Sequence, residues 1–391
     1  MRILVTGLIG QYAFGGVTWD YLQYVLGFQK LGHEVWYLED TATWAYDPIK
    51  QEPSADCSYN VNYLARIMKE LGLGDRWIYR NEADGSYHGI TDSQQAEKII
   101  RESDVLANVS GACWLREVTA AIPHKLFLDG DPMFTHIGLA VGTKKDYVDR
   151  VRAHTDHFSF GLNIGAKNCS VPTASLKWKP TVQPIALEYW ESKKEDKSHP
   201  AYGAFTTVMN WASYKPQEFN GESYGQKDME FLRFMDLPQK IKPERMVLAM
   251  GQGVGQKRPT AELEKRGWKI LEPDQVLPDY QTYREFLRNS KAEWSIAKNG
   301  YVKSWSGWFS CRSACYLALG RPVVVQDTGW SEHLPSGKGV LKFSSLEEAI
   351  EGIQEVSSNY AEHSKAARAF AENYFEAGKV CQQLLKDAEI T

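Results

Sequence analysis

The strongest constraint on this chain is an alternation: short β-branched or apolar runs give way to helix-period stretches, again and again, along almost all of its 391 residues. That pattern predicts parallel sheets covered by helices. In the first half it predicts strands near Arg2–Thr6, Glu34–Leu38, Asp104–Val109 and Lys125–Leu128. Between the first two, Val17, Tyr21, Tyr24, Val25, Phe28 and Leu31 share one helical face, and Gly32 follows as a C-terminal cap. The pattern breaks between Val171 and Pro200, where Pro172, Pro180, Pro184 and Pro200 interrupt it. It restarts with strands at Ala204–Met209, Arg245–Met250, Trp268–Leu271, Glu293–Ala297 and Pro322–Gln326. A chain this long exceeds one ordinary hydrophobic core, so the expectation is two α/β domains. Their boundaries fall at 1–190 and 191–375, with 376–391 a final helix able to cross back to the first domain. The charged run Glu191–Lys197 reads as a solvated linker.

Composition removes several classes of function. The formal net charge is −4, which argues against a nucleic-acid partner, because phosphate binding usually leaves a basic excess. No window approaches the ~20 consecutive apolar residues that span a bilayer. The N-terminus runs directly into a strand pattern, so no signal peptide is expected. Six scattered cysteines without a CxxC spacing read as reduced thiols in a cytoplasmic protein. The 13 Trp and 20 Tyr suit surfaces that stack on rings, although half-buried packing uses most of them.

The first turn is rich in glycine. Val5-Thr-Gly-Leu-Ile-Gly-Gln-Tyr-Ala-Phe-Gly-Gly-Val-Thr-Trp-Asp20 follows the first strand and opens the first helix, where open α/β sheets bind ligands. Gly15 and Gly16 permit close backbone approach and are candidates for contacting an acceptor or a diphosphate. A dinucleotide-binding domain competes for this segment. Gly7 and Gly10 begin a GxxGxxG, and Glu39 or Asp40 ends the second strand where a ribose-binding acid belongs. The match fails at Ala13, and the helical periodicity starts only at Val17.

The most specific region runs Trp305-Ser-Gly-Trp-Phe-Ser-Cys-Arg-Ser-Ala-Cys-Tyr-Leu-Ala-Leu-Gly-Arg-Pro-Val-Val-Val-Gln-Asp-Thr-Gly-Trp330. It reads as a polar loop, a helix from about Ser310, a Gly320 stop, a buried strand and another polar loop. This order resembles the nucleotide-sugar-binding half of GT-B glycosyltransferases. The resemblance implies two Rossmann-like domains facing each other across a cleft, with a nucleotide-diphosphate sugar as co-substrate and no other cofactor. Ser310, Arg312 and Ser313 would then meet the diphosphate at a helix N-terminus, and Asp327 and Thr328 would meet hydroxyls of the ribose or sugar. The plainer uses of these residues are N-capping by Ser310, an ion pair for Arg312 and a turn at Asp327–Gly329. Thr207-Val-Met-Asn-Trp-Ala-Ser-Tyr-Lys215 resembles the first strand and loop of the same half, making Asn210 and Lys215 further diphosphate candidates. The paired glutamates of the retaining branch are absent, their places taken by Gly307 and Cys315, and so is the plant-type His-Cys-Gly-Trp signature. The chain therefore resembles a divergent bacterial-type branch.

Glycosyl transfer with inversion needs a base for the acceptor hydroxyl. Asp20, in the first turns of the first helix, is the leading candidate; its plainer role is to complement the helix dipole. Leu128-Asp-Gly-Asp-Pro132 ends an apolar strand, and period-two alternation would point Asp129 and Asp131 the same way. The pair resembles the Asp-x-Asp of GT-A glycosyltransferases, which holds a divalent metal, but two carboxylates are few for a hard cation. A metal-free site with Asp131 as base or orienting residue is expected. His154-Thr-Asp-His157 reads as packing. The expectation is thus a soluble hexosyltransferase-type enzyme acting on a small-molecule or glycan acceptor. The other readings are an NAD(P)-binding enzyme of the sugar-nucleotide type and a binding protein without turnover.

Overall fold

The computed structural model describes residues 1–191 and 195–390, so Ser192, Lys193 and Lys194 of the expected linker lie outside the described residues. The first domain contains strands β1 (Arg2–Thr6), β2 (Glu34–Glu39), β3 (Ala45–Asp47), β4 (Glu52–Ser54), β5 (Trp77–Arg80), β6 (Tyr87–Gly89), β7 (Val105–Val109), β8 (His124–Asp129), β9 (Asp156–Ser159) and β10 (Trp178–Pro180). Eight of them form one sheet in the order β10-β9-β8-β7-β1-β2-β5-β6, and β3 and β4 pair as a separate hairpin. All neighbours in the large sheet are parallel except β5 and β6. The second domain contains β11 (Phe205–Ala212), β12 (Gln217–Phe219), β13 (Glu222–Tyr224), β14 (Met246–Gly253), β15 (Trp268–Leu271), β16 (Ala292–Ser295), β17 (Val323–Gln326) and β18 (Val340–Phe343). Its sheet is wholly parallel, ordered β15-β14-β11-β16-β17-β18.

Both sheets follow the doubly wound 3-2-1-4-5-6 sequence, which reverses beside β1 and beside β11. Ligands of such sheets sit outside the carboxyl ends of the strands at that reversal. The helices that matter to the site are α1 (Gly15–Lys30), α2 (Ser58–Glu70), α3 (Lys227–Phe231), α4 (Tyr280–Asn289), α5 (Asn299–Ser304), α6 (Cys311–Ala318), α7 (Tyr360–Tyr374) and α8 (Ala377–Asp387).

Helix α1 is buried nearly all round, because Trp19, Tyr21, Leu22, Tyr24, Val25, Leu26 and Phe28 are all within the core. The single apolar face expected from periodicity packs on the first sheet. The other sides are covered by α4 of the second domain and by α8. A helix apolar on every side needs cover on every side. A Cβ at Gly27 would come within 2.5 Å of Cys381 Sγ, so α8 rests directly on the α1 backbone there. Gly32 has φ +83° just past the helix, and its N–H bonds to the Gln29 carbonyl, as a terminating glycine should.

The chain passes between the domains twice, and the two passages lie side by side. Ile185 N–H donates to the Phe375 carbonyl at 2.6 Å, and Ala377 N–H donates to the Ile185 carbonyl at 2.9 Å. On the second-domain side of the linker, Glu195 pairs with Arg321 at 2.7 Å and Asp196 N–H donates to Asn289 Oδ1 at 2.6 Å.

Candidate functional site

Residues from the carboxyl ends of β1, β8, β11 and β16, with the amino end of α6, converge where the domains meet. Asp131, two residues beyond β8, reaches across the boundary. Lys298, three residues beyond β16, places its ammonium 2.9 and 3.0 Å from the two Asp131 oxygens. The Tyr214 hydroxyl donates to Asp131 Oδ2 at 2.6 Å, and the Tyr301 hydroxyl of α5 donates to Oδ1. The same ammonium lies 4.7 Å from the centroid of the Tyr214 ring, 5.1 Å from Phe134 and 5.3 Å from Tyr301, an aromatic cage for a cation. Asp131 and Lys215 border an open cleft of about 730 Å³ between the domains, walled by Phe134, Tyr147 and Tyr214.

Asp129 does not join Asp131, contrary to the alternation argument. The strand ends at Asp129, so the next two residues leave its period. Asp129 is 2% exposed; it accepts from Ser159 Oγ at 2.7 Å and from the Asp131 N–H at 3.0 Å, and His136 Nε2 lies 3.3 Å away. Despite burial, these donors hold its carboxyl below the usual range. Its role is to shape the turn that aims Asp131. Among the described residues no group of three or more His, Cys, Asp or Glu side chains is arranged to hold a metal ion. His154 and His157 are buried and bonded to the Arg150 and Val151 carbonyls, in keeping with packing.

The second constellation lies at the start of α6. Ser310 occupies the N-cap position, φ −71° and ψ 130°, but its side chain makes no capping bond. Cys311 opens the helix and faces Asp20 of α1, across the domain boundary. Burial raises the Asp20 pKa to about 6, against the opposing pull of a hydrogen bond to the Cys311 thiol and the positive charge of Arg312. Asp20 keeps partial solvent contact. Burial, with Asp20 close by, pushes the Cys311 thiol well up.

Arg312 departs from the expectation that it meets a diphosphate directly. Its Nε donates to Glu293 at 2.6 Å, Nη1 to the Val208 carbonyl at 2.6 Å and Nη2 to Ser295 Oγ. Glu293 is wholly buried in β16 and needs that partner, so the guanidinium is committed beneath the site. Ser313 is wholly buried and its hydroxyl has no partner among the described residues. Together with Ser310 it lines a small gap beneath Trp308.

Other expected contacts are also taken up by packing. A Cβ on Gly15 would stand 2.2 Å from the Asp279 carbonyl oxygen and 2.6 Å from Tyr283 Cβ, and one on Gly16 would touch the Tyr283 ring at 3.3 Å. These glycines let α1 dock closely on α4. Asp327 is 3% exposed and accepts from the Gly329 N–H and from Ser331 Oγ, while Thr328, wholly buried, donates to the Trp308 carbonyl. Both build the turn after β17. Asn210 is exposed beside Gly251, and Lys215 is exposed at the cleft, free to meet a ligand.

Glu39 and Asp40, the acids of the dinucleotide reading, are both engaged internally. Glu39 accepts from the Gly10 N–H at 2.8 Å, the Gln11 N–H and the Tyr37 hydroxyl at 2.7 Å, and burial lifts its pKa to about 7. Asp40 takes a two-pronged contact from Arg116, at 2.7 and 2.9 Å. Neither is placed to receive a ribose.

Sequence reasoning overlooked Lys227, Lys298, Tyr214 and Tyr301. Lys227 opens α3, pairs with no carboxylate among the described residues, and has its pKa pushed well down by burial and by the charges of Arg312 and Lys298. The signal was present: a lysine at a helix start opposes the helix dipole and is a natural anion ligand. Lys298 stands just past an apolar strand, the same rule that singled out Asp131.

No family model matches the chain, and no curated protein matches it. Solved structures match over its whole length. An alpha-glucosyltransferase in complex with UDP and a 13-mer DNA containing an HMU base is 14% identical with a TM-score of 0.57, covering 100% of this chain and 99% of its own. HepE from Anabaena, in complex with UDP and glucose, is 12% identical with a TM-score of 0.58 and the same coverage. AviGT4, a glycosyltransferase involved in avilamycin A biosynthesis, is 12% identical with a TM-score of 0.51, covering 100% and 97%. At these identities the likeness is one of fold: two Rossmann-like domains across a cleft, the GT-B architecture. One of these proteins is bound to DNA, so the fold accommodates a nucleic-acid ligand. No helix among the described residues is long and apolar enough to cross a membrane.

Proposed function

We propose that this GT-B chain is a glycosyltransferase that moves a sugar from a nucleoside-diphosphate donor, held by the second domain, to a hydroxyl-bearing small molecule or glycan held by the first. The observation that carries the reading is the meeting, at the buried boundary between the domains, of three features: the uncapped start of α6, Lys227, unpaired among the described residues, and the Asp20 carboxylate of the opposite domain. A diphosphate needs amide and ammonium donors; the uncapped start of α6 and Lys227 offer them at the boundary, and Lys215 offers another ammonium at the cleft. Arg312 adds its charge from below without touching the ligand.

In the proposed step the acceptor hydroxyl gives its proton to Asp20 as its oxygen bonds to the anomeric carbon. The bond from that carbon to the diphosphate breaks, and the diphosphate leaves with the electron pair. Asp131 is the orienting residue, fixing Lys298 and Tyr301 beside the reaction centre. The divergence of Asp129 from Asp131 supports transfer without a metal bridging the two, and unchanged turnover in EDTA is the expected result.

Thermal shift against UDP, dTDP and GDP tests the donor site. One of the three should raise the melting temperature, and Lys227→Ala should weaken that nucleotide roughly 10- to 100-fold, the worth of one charge-assisted contact. No shift with any of the three, or undiminished affinity in the variant, sinks the assignment. Release of nucleoside diphosphate from a panel of donor sugars separates an enzyme from a binding protein of the same fold.

A further inference from the structure

Four aromatic rings at the carboxyl edge of the first sheet are left uncovered by the chain. Trp44 is 51% exposed, Tyr12 39% and Phe14 36%, and Tyr46 is half-buried between the last two, its centroid 5.9 Å from Tyr12 and 6.0 Å from Phe14. Rings clustered in water at a sheet's ligand-binding edge are not explained by packing.

The backbone beneath them is pinned by buried polar side chains. Asn60 of α2, wholly buried, donates to the Gly10 carbonyl at 2.7 Å and the Tyr46 carbonyl at 2.8 Å. Gln11, 4% exposed, donates to the Trp44 carbonyl at 2.5 Å, and its own carbonyl accepts from the Tyr46 N–H at 3.2 Å. Glu39 clamps the Gly10 and Gln11 amides from the other side. The loop after β1 and the β3–β4 hairpin after β2 are therefore held together, with Tyr46 packed against Tyr12 and Phe14 and Trp44 two residues before it, so the backbone that carries the rings is already ordered for binding.

Resting on the glycosyltransferase reading, we infer that Tyr12, Phe14, Trp44 and Tyr46 form a stacking platform for a neutral oligosaccharide, the distal part of an extended acceptor. Three of the four rings carry a polar edge, which suits the mixed C–H faces and hydroxyls of a sugar. The hairpin bears Asp47 and Glu52, and Asp56 follows it, against the single Lys50, so the rim repels anionic lipid headgroups and phosphorylated ligands. Geometry sets the length. The platform stands over the ends of β1 and β2, two and three strand spacings from β8, which Asp131 follows, or roughly 10–14 Å. A single sugar cannot touch both.

The test uses the full chain and three probes, maltohexaose, cellohexaose and chitohexaose, each covalently fixed to the gel matrix, with binding read by affinity gel electrophoresis. At least one should retard the wild-type chain, and Trp44→Ala and Tyr12→Ala should each weaken that retardation about tenfold with melting temperature and nucleotide affinity unchanged. Retardation by none of the three, equal retardation of the variants, or a Trp44-dependent attachment to phosphatidylglycerol vesicles in place of glycan binding overturns the platform. Trp44-dependent glycan binding in a chain that binds no nucleotide supports the platform and removes the donor reading instead.

Discussion

Asp20 combines two properties that a base in a closed cleft requires: a carboxylate with partial solvent contact, and a pKa lifted to about 6 chiefly by burial. Below that pH the proton stays on and the base is lost. kcat/KM should therefore fall about tenfold per unit as pH drops through 6, and Asp20→Asn should lower turnover by 10²–10⁴ with nucleotide affinity intact. The linkage runs the other way for stability. A raised folded pKa means that ionisation disfavours the fold, so stability declines as pH rises from the ordinary carboxylate value near 4 to about 6. The asparagine variant should accordingly melt no lower than the wild type at pH 7, a comparison calorimetry makes directly. An unchanged pH profile in a variant that is still active would remove Asp20 from the chemistry. Individual residues were only half legible in the sequence. Asp20 and Asp131 do lie where the domains meet. Arg312 does not offer its guanidinium to the cleft, because Glu293, in the middle of an apolar strand, cannot stay buried without a cationic partner.

At the scale of elements, the docking of α1 on α4 turns on one glycine. Any side chain at Gly15 meets the Asp279 backbone carbonyl at 2.2 Å, and neither helix can yield without moving its domain. Gly15→Ala should cost about 1–3 kcal/mol, read as a lower melting temperature. Gly16→Ala, which meets only the Tyr283 ring edge at 3.3 Å, should cost distinctly less. Equal behaviour of the two would show that the contact does not set the closure. The long periodic elements were legible: β1 and β15 fall on their expected residues, and α1 falls within two residues of the Val17–Leu31 stretch. Several short elements were not, among them β3 to β6, β10, β12, β13 and β18. Val340–Phe343 sits behind a run of Ser, Gly and Lys without a periodic stretch to announce it. The three-residue strands of the β3–β4 hairpin are too brief for alternation to register. Glycine in a first turn reads equally as ligand contact or as helix docking, and only the partner helix, some 260 residues away in the chain, decides between them.

For the molecule as a whole, the C-terminal helix acts as part of the first domain although it follows the second. α8 covers α1 through Cys381 and Ala377 at Gly27, and Lys30 pairs with Glu376 at 2.7 Å. Removing residues 377–391 would bare Tyr24, Gly27 and Phe28. The truncated chain should lose solubility and unfold at lower temperature, with the loss seen first in hydrogen exchange of α1 rather than of β11. Uniform loss across both sheets would mean that the lobes unfold as one. The two passages between lobes, stitched together at Ile185, have a mechanical meaning of their own. A single connecting strand would be a swivel, leaving the halves free to twist. A doubled and bonded one is a door hinge, with one line about which the leaves can turn. A swing about that line has to part Lys298 from Asp131, which makes that ion pair one latch among the contacts that bridge the lobes.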